Sequence, residues 1–326
     1  MQNQSRASSE RVSPVRILFC GTPSFAVPSL QHLLAQPDFQ ITAVITQPDR
    51  PRGRGQQVSF SSVKEVALAR NLPVFQPEKI RTPESEQFLR EGDADAIVII
   101  AYGQIIAARL LAIPRLGWIN LHASLLPRYR GAAPIQWAVA NGESVTGITT
   151  MRIDAGMDTG DILQQRETAI APTETTPQLA ERLAEMGAPL MTETLRGLRD
   201  GSLAPQPQDH SAASLAPLLK KQDGLIDWQQ PAQVIYNRMR GFTPWPGAYT
   251  SFRGTTCHLL GEPVSNPNST AVPGQILYDG KSFLVACGQQ SFLQVSSVKL
   301  EGRKQVSAAD FANGAHVQSG AHFAKA

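Results

Sequence analysis

Val15-Arg-Ile-Leu-Phe-Cys20 runs directly into Gly21-Thr-Pro23, and the following residues place Phe25, Val27, Leu30, Leu33 and Leu34 at helical spacing. An apolar run, a tight glycine turn and an amphipathic helix form the opening strand, loop and helix of a parallel α/β sheet. The turn lacks Gly-x-Gly-x-x-Gly, so nothing points to a bound dinucleotide. Outward from this start, 41–45 reads as a second strand. Asp95-Ala-Ile-Val-Ile-Ile-Ala101 is a continuous β-branched run and reads as a central strand buried on both faces. Further strands are expected at 117–122, 145–153 and 161–167. Helices are expected at 62–70 and 82–90, the latter with Thr82 as cap and Pro83 in the first turn. A long amphipathic helix should follow from Thr176, with Leu179, Leu183, Met186 and Leu190 along one stripe.

This first domain, 14–203, gives way to a stretch rich in Ala, Pro, Gln and Ser, with Pro205, Pro207 and Pro217, which reads as a linker over 204–221. A helix near 231–240 is then expected. After it come short strands near 249–253, 256–260, 274–277, 282–286 and 292–300, separated by Gly, Pro and Asn turns. That spacing suits a small β-barrel over 222–326. Residues 1–13 carry no apolar segment and read as a frayed extension rather than a secretory leader.

The 326 residues are 42% apolar and 17% charged, the profile of an ordinary soluble protein with room for two domains. No apolar run approaches the roughly 20 residues of a membrane-spanning helix. Cys20, Cys257 and Cys287 are far apart, which argues against a disulfide framework and for a reducing cytoplasm. From Lys220 onward, 10 Lys and Arg stand against 6 Asp and Glu, a net of +4; residues 1–219 hold 20 against 21. A basic module beside a near-neutral one suits an anionic macromolecular partner. A second basic feature is Thr46-Gln-Pro-Asp-Arg-Pro-Arg-Gly-Arg-Gly-Gln-Gln57, with Arg50, Arg52 and Arg54 set among prolines and glycines. Such a sequence is not expected to sustain a helix or a strand. It is either a solvated surface loop or an arm that reaches phosphates, and it follows a strand, where the ligand-facing loops of parallel sheets emerge.

The chemistry concentrates between Gly117 and Asp161. Gly117-Trp-Ile-Asn-Leu-His122 puts Asn120 and His122 at i and i+2 of a strand, so both side chains project from one face. Asp158 follows in the glycine-bounded loop Gly156-Met-Asp-Thr-Gly160. An amide and an imidazole can donate to the oxyanion that forms when an amine attacks a carbonyl, and a carboxylate can steady the imidazole or relay the amine's proton. Taken alone, Asn-x-His also describes an ordinary strand end; its combination with the aspartate loop sets it apart. Other chemistries lack their signatures. There is no Gly-x-Ser-x-Gly, no phosphate-binding Gly-x-x-x-x-Gly-Lys, and no His-x-x-x-His or Cys-x-x-Cys, so no metal is expected. Cys257-His258 reads as a chance neighbour pair rather than a dyad.

Asn120-x-His122, Ser124-Leu-Leu-Pro127 and Asp158 together resemble the formyltetrahydrofolate-dependent formyltransferases. Gly21-Thr-Pro23, the Arg50–Arg52–Arg54 stretch, Pro127-Arg-Tyr-Arg-Gly-Ala-Ala-Pro-Ile-Gln136, Asp158-Thr-Gly-Asp161, Ile226-Asp-Trp228 and Pro244-Trp-Pro-Gly247 are similar to the branch acting on initiator methionyl-tRNA. The resemblance covers about Val15 to the C-terminus. It implies a Rossmann-like catalytic domain joined to an OB-like barrel that binds tRNA, with Asn120, His122 and Asp158 as the catalytic trio. It implies 10-formyltetrahydrofolate as formyl donor, held by Ser124, Leu125, Leu126 and Pro127 and by Ile99, Ala101, Tyr102 and Gly103. It implies tRNA contacts from Arg50, Arg52, Arg54, Lys220, Lys221 and Arg240, and a cytoplasmic monomer acting in translation initiation. One departure stands out: where the family often carries Lys-Leu-x-Lys, this chain has Leu218-Leu-Lys-Lys221. Two rival readings remain at this point, formyl transfer to a small amine and a non-catalytic RNA-binding protein.

Overall fold

The computed structural model describes residues 13–52, 57–265 and 270–324. The chain divides into two units: Met1–Pro127 with Ile148–Arg166 and Glu181–Ala212, and Arg128–Gly147 with Glu167–Ala180 and Ala213–Ala326.

In the first unit the opening run forms β1 (Val15–Gly21), and the helix that follows is α1 (Val27–Leu34). The strands continue as β2 (Phe39–Ile45), β3 (Arg50–Arg52), β4 (Gln57–Ser59), β5 (Val74–Phe75), β6 (Ala96–Ile100), β7 (Trp118–His122), β8 (Val145–Arg152) and β9 (Ile162–Ala169). Between them in sequence lie α2 (Ser62–Ala69), α3 (Pro83–Glu91), α4 (Ala108–Leu111) and α5 (Pro134–Ala140), the last of which belongs to the second unit, and α6 (Thr176–Asp200) follows β9. The seven-stranded sheet runs β5-β2-β1-β6-β7-β8-β9. It is parallel from β5 to β7 and turns antiparallel where β7 meets β8, His122 facing Thr149 and Asn120 facing Met151. Every residue of β6 is buried, as its unbroken β-branched run requires. Thr82 caps α3 by accepting from the Ser85 N–H at 3.2 Å, with Pro83 in the first turn.

The α6 helix sets the depth of β7. A methyl at Gly187 would stand 2.4 Å from Leu121 Cδ2, so the glycine lets the helix lie close on the strand. Thr194 and Thr150, both buried, share a hydroxyl contact of 2.8 Å that ties the helix to β8. Near its C-terminus, Arg196 donates two hydrogen bonds of 2.8 Å to the Asp38 carboxylate at the head of β2. Hydrogen bonding from Arg196, against the opposing cost of desolvation, holds the Asp38 carboxyl down at about 2. A depressed carboxyl contributes stability that is present above its unfolded value near 3.9 and lost as pH falls toward 2. Asp38→Asn should therefore lower the melting temperature at pH 7, and the deficit should shrink steadily between pH 4 and pH 2 in paired thermal melts.

The second unit carries α7 (Ala232–Gly241), then β10 (Tyr249–Phe252), β11 (Thr255–Val264), β12 (Ile276–Tyr278), β13 (Phe283–Ala286), β14 (Phe292–Leu300) and β15 (Val306–Ser307), and closes with α8 (Ala308–Gly314). The strands form one antiparallel sheet ordered β10-β11-β14-β13-β12, with β15 on β14. Its core is aromatic: Trp228 stacks on Phe323 at 5.5 Å, and Phe252, Phe283 and Phe311 pack around them. The Ile226-Asp-Trp228 motif is thus a core element, with the indole N–H donating to Thr250 Oγ1 at 3.3 Å. Cys257 points into this core while His258, the next residue, faces outward, so strand alternation separates the pair. All three cysteines are buried thiols, and burial pushes Cys257 and Cys287 up to about 12.

Two expectations change. The stretch from Arg50 was expected to sustain no strand, yet Arg50–Arg52 pairs with Gln57–Ser59 as a short ribbon. Two paired strands leave alternate N–H groups facing outward, which lets Pro51 take part. The Pro-rich stretch read as a free linker is also anchored within each unit. Gln206 exchanges backbone hydrogen bonds with Ile162 at 2.8 Å, and 214–216 runs beside Arg130 with bonds of 2.8 and 2.7 Å. Among the described residues no helix is long and apolar enough to cross a membrane, and no group of three or more His, Cys, Asp or Glu could hold a metal ion.

Candidate active site

Asn120 and His122 stand on the same face at the carboxyl end of β7, where ligands of open α/β sheets gather. His122 is buried at 6% exposure, whereas Asn120 is half-buried and its amide makes no hydrogen bond to any other described residue. The carboxylate arrives from the turn between β8 and β9. Arg152 N–H donates to Asp161 C=O at 2.9 Å to close that turn, and Asp158 sits in it at φ +53°. The left-handed conformation is one that Asp tolerates better than most residues. It brings Asp158 Oδ2 to 3.7 Å from His122 Nδ1, an ion-pair distance rather than a direct hydrogen bond. The three groups singled out in the sequence therefore converge.

Two residues hold the aspartate turn that the sequence did not flag. Asp154 accepts from the Gly156 N–H at 3.0 Å and the Thr159 hydroxyl at 2.7 Å. Gln208, 6% exposed, donates through Nε2 to the carbonyls of Asp158 at 2.9 Å and Gly160 at 2.7 Å. Gln208 lies in the stretch read as a linker, and nothing in its local sequence distinguishes it from the neighbouring glutamines. Gln208→Leu keeps the bulk but removes both donors and should cut turnover by about 10- to 100-fold through misplacement of Asp158, with circular dichroism little changed and stability lowered by about 1–3 kcal/mol for the carbonyls left unpaired. Steady-state kinetics on the variant check this.

The residues assigned to the folate surround the carboxyl ends of β6 and β7. Ser124 and Leu126 are buried, Leu125 and Pro127 half-buried, and the Leu126–Pro127 bond is cis. Their backbone is fixed from β8 and β9: the Thr149 hydroxyl donates to Ser124 C=O at 2.7 Å and accepts from the Leu126 N–H at 3.2 Å, while Gln165 Nε2 donates to Leu126 C=O at 2.8 Å. Ala101 and Gly103 present exposed backbone at φ +47° and +82°. Ile99 and Tyr102 differ from expectation, because their side chains turn into the core at 6% and 2% exposure. Of 101–103 only Ala101 and Gly103 are exposed, and Gln47 Nε2 fixes the turn between them by donating to Tyr102 C=O at 2.9 Å. Exposed glycine backbone and half-buried apolar residues such as Leu125 and Pro127 are the kinds of surface that suit a flat heteroaromatic ring with polar edges.

Of the cations assigned to tRNA, Arg50 is exposed and lies 3.7 Å from Glu78, a weak surface pair. Arg52 lies in the backbone of β3, and Arg54 is outside the described residues. The base of this ribbon is rigid: Lys64 bridges Asp49 and Gln76, and Gln76 Nε2 donates to Gln47 C=O at 2.9 Å. Lys220 and Lys221 are exposed. Arg240 requires a correction. It is 6% exposed, and its guanidinium donates to Asn237 Oδ1 at 2.9 Å and to the carbonyls of Glu174 at 3.0 Å and Ala171 at 3.3 Å. A guanidinium so engaged is a structural clamp, not a phosphate contact.

Comparison with known proteins follows this geometry. Residues 15–195 match the model of the formyl transferase family, and 218–316 match that of the formyl transferase C-terminal domain. The methionyl-tRNA formyltransferase of Solibacter usitatus is 53% identical over 300 residues, covering 92% of this chain and 96% of its own. That of Geobacter metallireducens is 50% identical over 305 residues, covering 93% and 97%. Among solved structures, the sugar 3N-formyl transferase WlaRD, crystallised with dTDP and 5-N-formyl-THF, superposes with a TM-score of 0.63 at 20% identity, over 90% of this chain and all of its own. HypX from Aquifex aeolicus, in complex with tetrahydrofolic acid, superposes at 0.61 and 15% identity over 92% of this chain and 47% of its own. These two likenesses concern the fold.

Proposed function

Because this chain belongs to the formyl transferase family, we propose that it transfers the formyl group of 10-formyltetrahydrofolate to the α-amine of methionine on initiator methionyl-tRNA. The observation that carries the reading is the gathering of the uncommitted Asn120 amide, His122 and Asp158 at the carboxyl end of β7, in a chain with likeness over 92% of its length to a methionyl-tRNA formyltransferase.

In the reaction the amine nitrogen forms a bond to the formyl carbon, the bond from that carbon to N10 breaks, and one amine proton is transferred to N10. The bound folate supplies the activated formyl group. Asn120 and His122 donate hydrogen bonds to the carbonyl oxygen as it gains negative charge, each lowering the barrier by about 3–4 kcal/mol. Asp158, 3.7 Å from the imidazole, steadies the ring and stands where it can pass the amine's proton through water. Buried surroundings on the β7 side strengthen these interactions by excluding solvent. Ser124, Leu125, Leu126 and Pro127, with Ala101 and Gly103, seat the folate. Arg50, Arg52, Arg54, Lys220 and Lys221 meet tRNA phosphates, and the enzyme works as a monomer in the cytoplasm at translation initiation.

Arg54→Ala tests the acceptor half of this reading. Formylation of initiator methionyl-tRNA should fall through a raised KM while the folate dissociation constant stays fixed; a change in folate affinity alone would remove the ribbon from the tRNA site.

A further inference from the structure

The second unit exposes an aromatic and basic surface that the formyl-transfer chemistry does not use. Trp118 and Trp228 are 1% and 2% exposed, but Trp245 is 55% exposed. Large aromatic rings are seldom left so open unless a partner covers them. The loop that carries Trp245 is held from both sides. Gly247 N–H donates to Phe242 C=O at 2.9 Å, and Gly247 adopts φ +71°. On one side the turn Lys221–Gly224 abuts it, since a methyl on Gly224 would stand 2.1 Å from Gly247 C=O and 3.1 Å from Pro246 Cγ. On the other side a methyl on Gly247 would stand 3.2 Å from His258 Nδ1.

That histidine lies in a row across three strands. Tyr249 pairs with His258, and His258 with Lys299, so the three side chains share one outward face of β10, β11 and β14. The rings of Tyr249 and His258 are 5.6 Å apart. Lys221 and Lys299 are exposed and act electrostatically on His258; with desolvation as the larger cause, they hold the imidazole below its ordinary value, against the opposing influence of Glu301. Asp223, half-buried, accepts from the Lys220 N–H at 2.6 Å within the same turn.

An open indole on a fixed loop, with two lysines and an imidazole beside it, is what single-stranded nucleic acid requires: a π-face for a base and cations for the flanking phosphates. We propose that Trp245 stacks on an unpaired base of the tRNA, with Lys221, His258 and Lys299 contacting the adjoining backbone. The inference rests on the tRNA reading above and adds to it a stacking contact on the second unit. Charge complementarity decides the occupant: the exposed Lys221 and Lys299, opposed at the imidazole only in part by Glu301, suit a polyanion.

The test uses the full chain with uncharged initiator tRNA and with methionyl-tRNA. Trp245→Ala should weaken tRNA binding roughly 10- to 100-fold and raise the KM for methionyl-tRNA while kcat holds. Trp245→Phe should restore most of the affinity. Tryptophan fluorescence of the wild type should be quenched on adding tRNA, and Trp245→Phe should lose most of that quenching. Lys299→Ala should lower the slope of log affinity against log salt by about 1. Wild-type formylation of methionyl-tRNA with Trp245→Ala binding tRNA unchanged overturns this inference alone. Failure of the wild type to bind or formylate tRNA overturns the underlying reading, and this inference with it. A concentration-dependent dimer by sedimentation that Trp245→Ala abolishes, with tRNA affinity unchanged, overturns it in favour of self-association.

Discussion

Asn120→Ala and His122→Ala are each expected to lower the turnover of formyl transfer by roughly 10²- to 10³-fold, while the dissociation constant for methionyl-tRNA stays within about twofold. The size follows from what each side chain is placed to do. A preorganised donor matters most when charge develops on the oxygen it faces, and here two donors project from the same strand face, with solvent excluded on the His122 side. The Asn120 amide bonds no other described residue, so its truncation removes a donor without leaving an internal acceptor unpaired. The loss should therefore appear in kcat rather than in stability. Asn120→Asp tests the sign: it is nearly isosteric but acceptor-only when ionised, and it should be at least as inactive as alanine. Single-turnover rates with saturating donor and acceptor separate chemistry from binding. A single variant at wild-type rate would remove that residue from the proposed machinery.

Gly160→Ala should be the most damaging conservative change in the aspartate turn. An added methyl would stand 1.9 Å from Arg152 C=O, a backbone atom fixed at the end of β8, so the turn itself must move. Forcing that displacement should cost about 1–3 kcal/mol of stability. The effect on activity should be larger in proportion, because Asp158 is two residues away and its carbonyl shares the Gln208 amide with that of Gly160. A shift of about 1 Å can cost on the order of 100-fold in rate, so kcat should fall by about that factor. Gly314→Ala in α8, where an added methyl meets nothing within 4 Å, is the control and should leave both melting and kinetics unaltered. Thermal melts and steady-state rates on the pair decide the matter.

Both variants touch features that differ in how far they could be read from the chain. The β-branched run of β6 and the Asn120–His122 spacing are legible because each depends on local alternation or burial alone. The aspartate turn was legible as glycine punctuation. What was not legible arises from contacts distant in sequence. Gln208 acts on Asp158 from 50 residues away, and Thr149 holds Ser124 from 25 away. Arg240 sits in the last turn of an amphipathic helix in a basic segment, a pattern shared by exposed and buried arginines; only the carbonyls of Ala171 and Glu174 reveal that it is enclosed. Tyr102 and Ile99 follow the same rule, since an apolar or aromatic residue near a strand's carboxyl end reads alike whether it faces a ligand or the core, and only the packing around it tells the two apart. The composition changes near residue 204, but composition does not show that the Pro-rich stretch is pinned by main-chain hydrogen bonds.

The most direct test is a competition among acceptors. Purified protein, 10-formyltetrahydrofolate and equal concentrations of initiator methionyl-tRNA, elongator methionyl-tRNA and a dTDP-linked amino sugar are mixed, and the formylated products are separated. The structure and its likenesses predict formyl-methionyl initiator tRNA as the dominant product, formed in equal amount with tetrahydrofolate. Formyl transfer chiefly to the amino sugar, or consumption of the folate with no formylated tRNA, would contradict it.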